Sequence, residues 1–123
     1  MEQRRIDKYV KPDDWKEVFR KDIKSKLSEV RKEFKLYKKT SSIIYLQQAC
    51  NKMFSYIENR LMLKYDVRVS NYGQLRELVR KNEHDTDLLL RAKSLHQFYY
   101  NAEMQMPRYD AEDNLKALLK KLS

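Results

Sequence analysis

Two side chains in this sequence have types and spacing that could do chemistry: Arg91 and His96, in the stretch Leu88–Asn101, which reads LLLRAKSLHQFYYN. An imidazole titrates near neutral pH and can accept or donate a proton. A guanidinium can hold a phosphate in a planar fork and stabilise charge that develops on it. Lys93 lies three residues before His96 and shares its helical face, where it would add to an anionic site. Tyr99 and Tyr100 follow and offer rings on which a base can stack. Each residue also has a plainer structural role open to it. His96 would sit at the edge of a core, hydrogen-bonded to a neighbour, and Arg91 would pair on the surface with Asp87, four residues earlier.

Other chemistries are poorly served. One glycine, Gly73, cannot build a phosphate-cradling loop. The sequence has no G-x-S-x-G, no H-E-x-x-H and no pair of Cys-x-x-Cys motifs. Cys50 is the only cysteine, and His84 and His96 are the only histidines, so no metal site and no cofactor are expected. A lone cysteine suits a reducing cytosol, and a cytoplasmic location is the expectation.

The elements that must position Arg91 and His96 follow from periodicity. Apolar residues recur at three and four residues along Trp15, Phe19, Ile23, Leu27, Val30, Phe34 and Tyr37, which predicts a helix from about Asp14 to Lys38 with Asp13 as its N-cap. Thr40-Ser41-Ser42 separates it from a second helix running to Tyr65, with a wide stripe that includes Cys50 and is broadened by Ile44, Phe54 and Met62. Cys50 is therefore expected to be a packed small hydrophobe. A loop over Asp66–Gly73 leads to a short helix from Gln74 to Asn82. His84-Asp85-Thr86 reads as a break before a fourth helix, Asp87 to Met104, with the stripe Leu88, Ala92, Leu95, Tyr99, Ala102. Pro107 ends it, and a fifth helix starts at Asp110 as N-cap, with Ala111, Leu115, Leu118 and Leu122 inward. The expected fold is all-α: one bundle of about five helices over residues 13–123, up-and-down, preceded by a charged arm over residues 1–12.

Composition agrees. The 123 residues are 41% hydrophobic and 37% charged, with two prolines, which favours long helices and short loops. No apolar run approaches the ~20 residues of a membrane span, and the first 30 residues contain no signal-peptide core. The net charge is +9, and residues 1–40 carry 14 basic and 8 acidic side chains. An excess of this sign attracts RNA, DNA or anionic lipid. Lys16, Lys24, Arg31 and Lys35 on the first helix are the candidate phosphate contacts.

Arg-x4-His followed by aromatics on a late helix of a small helical domain resembles the signature of the HEPN superfamily, and Leu-His before an aromatic pair is most similar to its archaeal branch. The likeness extends over roughly the C-terminal two-thirds of the chain. It implies a homodimer with two motifs at a shared cleft and a metal-independent ribonuclease, in a toxin or defence system. His96 would be the acid/base on the ribose hydroxyl and Arg91 the phosphate clamp. Ala92 stands where active families carry a polar residue, and Phe98 where the toxin branch has a tyrosine. These departures favour a version that binds a nucleotide, or a nucleotidyltransferase partner, without turnover. Five residues on a regular helix also rotate by about 140°, so a single helix keeps Arg91 and His96 apart and catalysis needs a partner helix. The alternative is a basic helical protein that contacts proteins or nucleic acid through charge, with the Arg-x4-His spacing a coincidence.

Overall fold

The computed structural model describes residues 14–101 and 107–122. The expected arm, the Asp13 cap, and the end of the fourth helix at Ala102–Met104 lie outside the described residues. Among these residues the chain forms five helices and no strand: α1 (Asp14–Thr40), α2 (Ile43–Tyr65), α3 (Tyr72–Val79), α4 (Glu83–Asn101) and α5 (Arg108–Leu122).

Cross-helix pairs fix the topology. Lys52 of α2 bonds Glu29 and Glu33 of α1, Asn59 bonds Asp22, and Lys16 pairs with Asp66, so the first two helices run antiparallel. Gln47 reaches Tyr99, and Lys64 reaches Asp85, which sets α4 antiparallel to α2. Arg91 with Asn114, and Lys121 with Asp87, do the same for α5 against α4. The four long helices make an up-and-down bundle, and α3 crosses within the α2–α4 connection.

With a single glycine available, the tight turns use other residues. Ser41 (φ 60°) turns the chain between α1 and α2, and Asp66 (φ 57°) ends α2 with its N–H on the Leu63 carbonyl. Asn71 caps α3: its side chain accepts from the Gln74 N–H at 2.9 Å, while the Gln74 side chain accepts from the Ser70 N–H at 2.8 Å. This reciprocal arrangement starts α3 two residues earlier than periodicity predicts.

Two further starts differ from expectation. Helix α4 begins at Glu83, so His84-Asp85-Thr86 is its first turn and no break. Asn82 makes this possible by accepting the Asp85 N–H on its side chain and the Thr86 N–H on its carbonyl. Helix α5 begins at Arg108, directly after Pro107, whose carbonyl accepts the N–H of Asp110. Asp110 is thus within the first turn, where a carboxylate suits the positive helix end.

The core draws on Val30, Phe34 and Tyr37 of α1, nine residues of α2 from Leu46 to Met62, and Leu88, Leu89, Ala92, Leu95 and Phe98 of α4. Leu115 and Leu118 close it from α5. Ile44, expected on the wide stripe, is 58% exposed at the start of α2. Cys50 is fully buried, and burial pushes its thiol up to about 12. It is expected to resist a soluble thiol reagent in the native protein and to react fully in denaturant. Rapid labelling under native conditions would contradict this packing.

Candidate nucleic-acid interface and the Arg91–His96 helix

Helix α4 carries its polar residues on two edges of the buried stripe. On the edge facing α5, Arg91 donates from Nε to Asp87 at 3.1 Å and from a terminal nitrogen to Asn114 at 3.1 Å. Lys121 joins the same Asp87 oxygen at 3.0 Å. The Lys121 bond, opposed next by burial and then joined by the Arg91 guanidinium, holds the Asp87 carboxyl below the usual carboxylate range. Arg91 is thus occupied in tying α4 to α5, through the Asp87 pair that i, i+4 spacing allows.

The edge facing α2 and α3 carries the other half of the motif. The His96 ring stacks on Phe54 at 4.2 Å between centroids, and Tyr99 lies parallel at 6.4 Å. Burial, and after it the Lys93 ammonium, hold the imidazole below the usual histidine range, so it is neutral at pH 7. Lys93 lies over the Tyr72 ring at 4.8 Å and near the Phe54 ring at 5.9 Å. Burial also raises Glu58, with Lys93 acting against it. Lys93, His96 and Tyr99 therefore gather in one aromatic–cationic group, and Arg91 is on the far edge of an uninterrupted helix. Tyr100 belongs to α4, and its side chain lies outside the described residues. Phe98 is fully buried and belongs to the core.

The basic residues of α1 are sorted more sharply than the sequence reading anticipated. Beyond the first turn, every carboxylate of this helix turns to a cation or amide. Asp22 meets Lys26 and Asn59, and Glu29 and Glu33 meet Lys52 of α2. The Glu33–Lys52 pair lines an open groove of about 280 Å³ between α1 and α2. The outer face is left to Arg20, Lys21, Lys24, Arg31, Lys32, Lys35, Lys38 and Lys39, all exposed. Asp14 and Glu17, the latter paired with Arg20, are the acidic residues of the first turn before it. From Arg20 to Lys38 this ridge extends about 27 Å along the helix axis.

Three of the four expected phosphate contacts, Lys24, Arg31 and Lys35, stand on the ridge. Lys16 does not: its ammonium is turned to Asp66 at the end of α2, and its side chain is 22% exposed. Arg20, Lys21, Lys32, Lys38 and Lys39 were missed. Projecting the helix opposite Val30, Phe34 and Tyr37 would have found them, because a 3.6-residue period puts them together.

Among the described residues, no three His, Cys, Asp or Glu side chains are grouped to hold a metal ion. No described helix is long and apolar enough to cross a membrane. In comparisons with known proteins, the chain matches no family model, no curated protein and no solved structure.

Proposed function

We propose that this protein binds nucleic acid through the phosphate backbone, along the outer face of α1. One observation carries the reading: beyond the first turn of this 27-residue helix, Asp22, Glu29 and Glu33 turn toward α2 or a neighbouring lysine, while eight of the cations turn outward. A solvated helix without such a partner would gain from interspersed signs, since i, i+4 pairs of opposite charge stabilise it. A single-sign ridge instead repels itself and is relieved when a polyanion neutralises it and releases counterions.

The test compares two triple variants with the same change in net charge. Lys24→Glu, Arg31→Glu and Lys35→Glu together remove three ridge cations. Arg76→Glu, Lys116→Glu and Lys120→Glu reverse three exposed cations on α3 and α5. Fluorescence anisotropy with a labelled oligonucleotide at low salt is expected to show a roughly 100-fold loss for the ridge variant. The off-ridge variant should lose well under a tenth of that factor. Equal losses would mean that net charge, and not the ridge, drives binding.

A second reading is supported by the neutral, half-buried His96 beside Lys93. A neutral imidazole can take a proton from a ribose hydroxyl, as the HEPN resemblance implies. Arg91 lies on the other edge of α4, so a catalytic pair requires the Arg91 of one copy to meet the His96 of another across a two-fold axis. Under this reading the protein sediments as a dimer and cleaves RNA in the presence of a chelator. Arg91→Ala and His96→Ala should then each abolish cleavage with the dimer intact. If both variants bind and behave as wild type does, the ridge alone accounts for the function.

A further inference from the structure

We infer that the nucleic acid recognised by the α1 ridge is a duplex, held without regard to sequence. The inference rests on the proposed binding function and concerns what the ridge lacks as well as what it offers. Proteins that hold single strands combine a basic groove with aromatic rings on which successive bases stack. On α1 every aromatic side chain turns the other way. Phe34 and Tyr37 are buried in the core, and Trp15 and Phe19 pack against it and meet each other edge to face at 5.3 Å. No large hydrophobic residue is exposed between Arg20 and Lys39 among the described residues. An unstacked base would find nothing there to replace its lost stacking.

The ridge does offer a rigid row of cations. Helix α1 is fixed along its length to α2 by the Asp22–Asn59 and Glu29/Glu33–Lys52 contacts, so its charges are spaced before any ligand arrives. A duplex presents an equally rigid row of phosphates with one charge per ~1.7 Å of axis. Two preorganised arrays meet at little entropic cost, whereas a flexible single strand must be ordered first. Lysine predominates among these cations, which suits point contacts to phosphate better than bidentate reading of base edges. The same face offers a membrane nothing to insert. A surface-bound helix inserts an apolar face, and the apolar face of α1 is turned toward α2. A-form and B-form duplexes share the phosphate chemistry.

The experiment is an anisotropy titration of the full chain with RNA and DNA duplexes of about 16 base pairs, roughly twice the ridge length at 3.4 Å per pair. The matching single strands and vesicles of mixed neutral and anionic lipid are the other arms. Both duplexes are expected to bind at least about tenfold more tightly than their strands. The logarithm of the constant should fall linearly against the logarithm of salt, with a slope of about −0.9 for each phosphate the ridge neutralises. Scrambling the sequence should leave the constant unchanged, and a preference for one duplex would support the inference and identify its source. Single strands binding as tightly as duplexes would overturn the duplex assignment and leave the ridge as a nucleic-acid site. Vesicle binding without duplex binding, or no binding in any arm, would overturn both.

Discussion

Phe98→Ala is expected to destabilise the protein by about 3–5 kcal/mol. The side chain is fully buried in α4 and is the largest of the wholly inaccessible residues. Its removal leaves a cavity in a core to which α2, α4 and α5 contribute, and packed helices relax only partly onto such a cavity. Small domains are stable by only about 5–15 kcal/mol, so the variant should approach the limit of folding. Urea denaturation followed by circular dichroism measures the change in midpoint. Phe98→Tyr is the sharper probe. A tyrosine is what the toxin branch of the resembling superfamily carries two residues after the histidine. Here its hydroxyl would enter an apolar site, at a cost of about 1–3 kcal/mol unless a partner moves to it. A Phe98→Tyr protein as stable as wild type would mean that this position opens toward a site. A measurable loss would leave it in the core.

The same residue marks how far the sequence could be read. Periodicity located all five helices, and most of the inward positions of α1, α2 and α5 are those named from spacing. On α4 the spacing favoured Tyr99 and passed over Leu89 and Phe98, because a stripe wider than one row satisfies several registers at once. Helix starts were less legible. The polar run His84-Asp85-Thr86 has the composition of a break, and what keeps it helical is Asn82 as cap and partners for Asp85 on α2. Those partners are some twenty residues distant in sequence, beyond any local pattern. The separation of Arg91 from His96 was legible, since it follows from 100° per residue. That Arg91 is bound to Asn114 was not, because α5 had to be placed first. The ridge on α1 was legible in part. Its cations are visible in the sequence, and projection on the helix period separates them from Asp22, Glu29 and Glu33, but that Asn59 and Lys52 of α2 receive those carboxylates shows only once α2 is placed.

Asp85 carries the other large expected effect. It is 2% exposed and is the buried charge of the core among the described residues. Its carboxylate accepts from Lys64 at 2.7 Å and from the Tyr65 hydroxyl at 2.7 Å. Burial alone would raise its pKa. The bonds from Lys64 and Tyr65 outweigh that and hold the group below the ordinary aspartate value of 3.8. Asp85→Asn keeps the shape and removes the charge, and is expected to cost about 1.5–3 kcal/mol through the lost charge-assisted bonds. The sign of the pH dependence follows from the lowered pKa. The carboxylate contributes fully above the unfolded value, and the contribution disappears as pH falls through the lower folded one. Wild type should therefore lose stability below about pH 4 more steeply than Asp85→Asn. At the other end, the hydrogen bond to Asp85, helped by burial, pushes the Tyr65 hydroxyl up to about 12. The protonated phenol is the form the fold favours, so its contribution is complete below pH 10 and is lost between 10 and 12. Urea midpoints of both proteins across these two windows provide the measurement. Parallel acid limbs would mean that Asp85 is already protonated in the folded protein, and that Lys64 and Tyr65 contribute no charge-dependent stability there. If the acid limbs diverge, the pair secures the junction of α2 with α4, and with it the helix that carries Arg91 and His96.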